Sequence, residues 1–166
     1  MKTTQFNFSK IVSTAKYLGV AALFIGGLAT FSGCATKGCT DDTADNYDEN
    51  ATEDDDSCIP ARDKFLGSYA VQEACASGNY TYTCTIVTSS TGDLKVIINN
   101  LGDFNLTINA AASVSGENIT LDNATYDNRT LTGSGSISGN IITLTYTITD
   151  NATGDQDQCT MTCTKQ

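Results

Sequence analysis

Phe65-Leu-Gly-Ser-Tyr-Ala-Val-Gln-Glu-Ala-Cys75, followed after Gly78-Asn79 by Tyr80-Thr-Tyr-Thr-Cys-Thr-Ile86, is the stretch whose reading decides the fold. Tyr69, Val71, Glu73 and Cys75 fall on one face of a period-two pattern, and Tyr80, Tyr82, Cys84 and Ile86 repeat it beyond the turn signal. Alternation with a Gly-Asn break is the mark of a β-hairpin. The same pattern runs on to the end of the chain. Thr91-Gly92-Asp93 precedes Leu94, Val96 and Ile98, and Leu101-Gly102-Asp103 precedes Phe104, Leu106, Ile108 and Ala110. Val114, Ile119 and Leu121 flank Ser115-Gly116-Glu117, and a Gly/Ser-rich piece from Leu131 to Ile137 carries the least regular pattern. Ile142, Leu144, Tyr146 and Ile148 form a strong strand, and Cys159, Met161 and Cys163 follow the loop from Asn151 to Asp157. Roughly eight or nine short antiparallel strands are expected, with no helix among them. The fold class is therefore all-β. Short connections favour an up-and-down barrel, which removes its edges by closing on itself, and a two-sheet β-sandwich is the alternative.

Outward from this domain the chain changes character at Pro60, its one proline. Three parts are expected: residues 1–33, residues 34–61 and the β domain over 62–166. Lys2, Lys10 and Lys16 give the first part a basic start, and Tyr17 to Ala29 is an apolar run too short to span a bilayer comfortably. It reads as an export signal. Phe31-Ser32-Gly33-Cys34 resembles a bacterial lipobox, and the resemblance implies cleavage before Cys34 and acylation of its thiol. Such lipidation would anchor the protein stably in a membrane. Cleavage removes three lysines and no acid, which takes the formal charge from −10 to −13. So acidic a chain repels phosphates, which argues against nucleic acid as a partner and leaves the acyl chains as the membrane contact.

Seven cysteines and no histidine remain to be explained. With Cys34 taken by lipid, an even number is left in an exported chain, which reads as disulfides. Neither His nor a Cys-x-x-Cys spacing supports a metal in their place. Cys39 and Cys58 bound an acidic segment and are expected to close it. In a closed barrel the last strand meets the first, so like-facing positions predict Cys75 with Cys159 and Cys84 with Cys163.

The segment from Cys39 to Cys58 holds nine of the nineteen acids and a single large apolar side chain, Tyr47. Its pattern Cys-Thr-Asp, Asn-Tyr, Asp-Asp-x-Ser-Cys resembles a short acidic motif of exported and surface proteins of Bacteroidota. Asp45, Asp48, Asp54 and Asp56 are candidate Ca²⁺ ligands, because calcium takes six to eight oxygens. An EF-hand frame begun at Asn46 puts Ala51 at the turn glycine and Ser57 at the bidentate acid. A solvated acidic spacer is the other reading, and no other cofactor is expected.

Phe-x-Gly-x-Tyr-x-Val-x-Glu-x-Cys (Phe65 to Cys75), Gly-Ser-Gly-x-Ile-x-Gly-Asn (Gly133 to Asn140) and Leu-Thr-Tyr-x-Ile-Thr-Asp (Leu144 to Asp150) resemble lipocalin-like domains of Bacteroidota lipoproteins. The resemblance implies a barrel and no particular chemistry. Glu73 is the one acid that alternation places among inward-facing residues, so Glu73 with Tyr69, Tyr82 and Tyr146 is the candidate ligand set; Tyr80 and Tyr126 could line the same space. Pairing of Glu73 with Arg62, Lys64 or Arg129 is the structural alternative. Without His, a Ser or Cys triad is unavailable. A glycan hydrolase built on Glu73 with Asp93 or Asp103 is the remaining catalytic option, and no enzymatic role is expected. The chain reads as a lipid-anchored protein of the cell envelope, at the outer membrane. Its barrel would serve as a noncatalytic binding module for a small apolar ligand or, with a filled core, as an interaction or structural protein meeting an envelope protein.

Overall fold

The computed structural model describes residues 34–103 and 109–166. The expected export signal and the strand positions Phe104, Leu106 and Ile108 lie outside the described residues. In the acidic segment β1 (Lys37–Gly38) and β2 (Glu53–Asp54) pair in parallel. Cys39 is bonded to Cys58 as expected, and Cys39 is 1% exposed. Asx turns tighten the loop between them, with Asp48 accepting from the Asn50 backbone and Asp54 from the Asp56 backbone. The segment is thus folded, where a spacer was the alternative, and its order rests on the disulfide and these turns rather than on a core.

Pro60 leads into a short 3-10 turn, Ala61–Phe65, as a residue with fixed φ at the start of a turn should. The barrel strands follow: β3 (Gly67–Cys75), β4 (Gly78–Thr88), β5 (Lys95–Asn99), β6 (Asn109–Ser115), β7 (Asn118–Leu121), β8 (Ala124–Tyr126), β9 (Arg129–Ser138), β10 (Ile141–Asp150) and β11 (Gln156–Lys165). A second 3-10 turn, Leu101–Asp103, stands between β5 and β6. The two turns correct the expectation that helix is absent.

All barrel pairings are antiparallel, and β11 pairs with β3, which closes the sheet. β7 and β8 pair in turn with successive parts of β9, so they act as one stave broken at Asp122-Asn123. The result is an eight-staved antiparallel barrel, lipocalin-like in form, and the sandwich alternative does not apply. Where β8 leaves β6, the Tyr126 hydroxyl fills the ladder: it donates to the Asn109 carbonyl at 2.7 Å and accepts the Ala111 N–H at 3.3 Å. Tyr126 is a seam residue, not a pocket residue.

A barrel of this size has an interior just wide enough for side chains to fill. Phe65, Tyr69, Val71, Val96, Ile98, Leu101, Leu131, Leu144 and Tyr146 are among the inward side chains, each no more than 2% exposed. The Gly/Ser-rich piece lies within a full strand of ten residues, β9. Gly133 and Gly135 share the inward face with Leu131 and Ile137, and β10 lies close beside them: a Cβ on Gly135 would stand 2.1 Å from the Thr143 carbonyl oxygen, and one on Gly133 would stand 2.4 Å from the Tyr146 Cβ. Missing side chains on β9 make room for the large ones on β10.

The two ends differ. At one, Phe65 and the first 3-10 turn plug the barrel, and the Tyr69 hydroxyl donates to the Phe65 carbonyl at 2.8 Å. The acidic segment sits here, with the Asp45 N–H bonded to the Ile59 carbonyl, Ala44 bridged to Pro60, and the Lys64 ammonium 2.7 Å from the Asp45 carboxylate. At the other end, the mouth, the β3–β4 turn, the second 3-10 turn and the β10–β11 loop gather around Glu73.

Candidate functional site at the barrel mouth

Glu73 projects inward from β3 and is 4% exposed. Tyr146 of β10 donates to its Oε1, and the phenol of Tyr82 on β4 stands beside the carboxyl. Register explains their meeting. Tyr82 lies opposite Val71 and Tyr80 opposite Glu73 across the β3–β4 pair, while Met161 lies opposite Glu73 across β3–β11. Tyr146 reaches in over Gly133, its partner on β9. The Tyr82 hydroxyl in turn accepts the Gly102 N–H at 3.0 Å. Gly102 can offer that N–H because its φ of 80° turns the chain sharply, and the Asn100 side chain pins the same turn to the Thr83 carbonyl at 2.8 Å.

Burial raises the pKa of Glu73 above the ordinary carboxylate value; the two phenols oppose the shift, and the charges of Asp157 and Asp103 add to it. Tyr82 and Tyr146 are pushed up by burial and then by the neighbouring Glu73. Arg62 and Lys64, offered as structural partners for Glu73, stand at the plugged end, where Arg62 meets Asp93 and Lys64 meets Asp45. Arg129, the third, starts β9 at the mouth end, where it lines a pocket with Asp150, Asp155 and Asp157, and the hydrogen bond that Glu73 accepts comes from the neutral Tyr146 phenol.

Above Glu73 the mouth holds a pocket of about 200 Å³ whose walls include Cys75, Ser77, Tyr80, Asp103 and Asp157. Ser77 donates both its hydroxyl and its N–H to the Asp157 carboxylate. Asp157 was missed in the sequence, although the alternation that joins Cys159, Met161 and Cys163 also takes in Asp157. Of the expected ligand set, the structure brings Glu73, Tyr82 and Tyr146 together. Tyr69 is placed elsewhere. It belongs to the plug, where burial pushes its pKa up to about 12. Asp103 shares the pocket with Glu73, and Asp93 does not.

Cys75 and Cys159 are direct partners across β3–β11 and are bonded, as expected, with Cα atoms 4.0 Å apart. Cys84 and Cys163 correct the other expected pairing. They are free, buried thiols whose interaction with each other lowers the pKa of Cys84 and raises that of Cys163. The reason is topological: Cys84 is on β4 and Cys163 on β11, with β3 between. Two interstrand spacings make roughly 9–10 Å between backbones, beyond the reach of about 7 Å that a disulfide needs. Alternation gives the face and not the intervening strand.

The four candidate calcium ligands are also dispersed. Asp45 pairs with Lys64, Asp48 binds Asn50, Asp54 accepts the Asp56 N–H, and Asp56 itself holds a positive φ of 60°. Among the described residues, the one group whose donor atoms converge is Glu73, Cys75 and Cys159, within 4.8 Å of one another. The two sulfurs are bonded together, so they offer a metal no thiolate.

No family model and no curated protein matches the chain. Among solved structures it is similar to a Bacteroides ovatus protein of unknown function, with 13% identity, a TM-score of 0.43, and coverage of 61% of this chain and 42% of that one. It is also similar to a "putative outer membrane protein" from Bacteroides fragilis NCTC 9343, with 17% identity, a TM-score of 0.47, and coverage of 66% and 54%. The chain spans about half the length of these proteins. Likeness at this level says nothing about what the chain binds.

Proposed function

We propose that this chain is a lipid-anchored protein of the cell envelope, held at the outer membrane through Cys34, whose barrel is a noncatalytic binding module that engages its ligand at the mouth. Support for the anchor comes from the basic start, the apolar run and the Ser-Gly-Cys stop, together with an exposed Cys34. Cys34 leads within a few residues into the acidic segment, which sits at the plugged end. An anchor there presents the mouth away from the bilayer.

Glu73 carries the reading. A carboxyl buried among inward-facing side chains costs stability, and such costs collect at functional sites. Side chains fill the barrel beneath it, which favours a ligand that stops at the mouth over an apolar molecule enclosed in the barrel. The carboxyls of Glu73, Asp103 and Asp157 suit a small ligand that donates hydrogen bonds. Native mass spectrometry of the mature chain, extracted from its own envelope, tests this. A retained small molecule, lost in the Glu73→Ala variant, is expected. An apolar molecule retained equally by both would overturn the reading, and glycan turnover dependent on Glu73 and Asp103 would overturn its noncatalytic part. The filled interior also favours a second reading, an interaction protein that meets another envelope protein through its outer surface. In-cell crosslinking from outward strand positions, with a clean apo mass, would support it.

A further inference from the structure

The geometry at the mouth points to a chemical activity that goes beyond ligand binding and does not rest on it: the Cys75–Cys159 disulfide is a site of thiol–disulfide exchange, attacked at Cys75, with Glu73 supplying the proton to Cys159. Access separates the two sulfurs. Cys75 is half-buried and forms part of the pocket wall, whereas Cys159 is 1% exposed and does not line it. An incoming thiolate approaches from the Cys75 side, and which sulfur is attacked and how well the other leaves decide the rate of exchange.

The Glu73 carboxyl lies within 4.8 Å of both sulfurs. In the folded barrel it retains its proton to higher pH than an ordinary glutamate, because burial disfavours its charge. The step balances as follows. A thiolate RS⁻ forms a bond to the Cys75 sulfur, the Cys75–Cys159 bond breaks, its electron pair goes to the Cys159 sulfur, and that sulfur takes the Glu73 proton. A second thiolate then attacks the R sulfur of the mixed disulfide. Two thiols are oxidised to RSSR, and Cys75 and Cys159 are reduced. Asp103 and Asp157 line this pocket, and Arg129 lines the adjoining one with Asp150, Asp155 and Asp157, so acids outnumber the base at this end and favour cationic over anionic thiols. The substrate class is therefore a neutral or cationic thiol.

Cys39–Cys58, at the far end, is the internal control for exchange, and the free thiols Cys84 and Cys163, buried in the core, report opening of the barrel through their alkylation in a parallel sample treated with iodoacetamide while folded. The full chain, folded and without denaturant, is incubated with cysteamine or with thioglycolate, quenched with acid, alkylated and mapped by peptide mass. Each rate is divided by that of the same thiol on an unstructured peptide disulfide. Expected are a cysteamine adduct on Cys75 and none on Cys159, untouched Cys84 and Cys163 in the parallel sample, and a normalised preference for cysteamine that shrinks with salt. Glu73→Gln should slow the step by roughly a hundredfold, the lower bound for a positioned proton donor, while the thiol preference persists. Adducts on Cys159, reaction of Cys75 only together with Cys84 and Cys163, or no preference between the thiols would each overturn the proposal. The wild-type readouts decide it even if the variant fails to fold.

Discussion

Tyr146 donates a hydrogen bond to Glu73 inside the barrel, joining strands whose residues are 73 positions apart in sequence. With Tyr82, which stands beside the carboxyl and holds the Gly102 turn, it makes a buried cluster of polar groups from the core to the mouth. Removing one member of such a cluster leaves its partner without a donor in a low dielectric. Tyr146→Phe should therefore destabilise the protein by about 1–3 kcal/mol at neutral pH. Urea unfolding of the single variants and of the double variant with Glu73→Gln should show the two sites to be non-additive, as expected of groups in direct contact.

Stability should fall as pH rises because of Glu73. Its folded pKa lies above the ordinary value of 4.5, so the folded state binds the proton more tightly than the unfolded state. Below the unfolded pKa both states are protonated and nothing is lost; as pH climbs through the folded pKa, the cost of the buried charge appears. Glu73→Gln removes that titration and keeps an oxygen for Tyr146. It should match the wild type in acid and exceed it progressively as pH rises above the ordinary carboxylate range, the gap widening until the folded carboxyl has lost its proton. Thermal melts of both proteins across the pH range give the comparison, and a constant difference would refute the assignment.

Much of this site is legible in the sequence. Alternation alone places Glu73, Cys75, Tyr82 and Cys159 inward, and the closure of first strand on last predicts the Cys75–Cys159 bond that the register shows. What alternation does not contain is the order of strands around the barrel, so Cys84 and Cys163 look like a bond when β3 stands between them. Nor does it report height. Tyr69 and Glu73 share a face, yet one belongs to the plug and the other to the mouth. The acidic segment is the least legible part, because Asx turns and an ion pair to Lys64 use carboxylates that, counted in the sequence, look like a calcium site.

Glycine on β9 makes the mouth network attainable, and this too can be measured. A Cβ at Gly135 would meet backbone atoms of Thr143 and Leu144 that cannot swing aside. Gly135→Ala should cost about 3 kcal/mol or more, through overpacking. Gly139 is the control: its φ is 57° and no atom lies within 4 Å of a built Cβ, so Gly139→Ala should cost only about 1 kcal/mol. Equal losses for the two would mean that β10 does not lie as closely on β9 as the register requires.

The acidic segment should unfold independently of the barrel. The Cys39–Cys58 bond closes a loop of sequence separation 19, in a segment that buries almost no apolar surface of its own, since Tyr47 is 46% exposed. Cutting that bond with Cys39→Ser should cost the segment about 3 kcal/mol in the loop-entropy picture, more than its turns can supply. The Lys64–Asp45 ion pair holds it to the plugged end, but both partners are only partly buried, and such pairs contribute at most about 1 kcal/mol. The barrel core contains none of these residues. In the variant, limited proteolysis should cleave between residues 39 and 58 while the barrel's melting temperature moves little. A melting temperature that falls with the segment would show that the two fold as one cooperative unit, and that the plugged end depends on the acidic segment for its order.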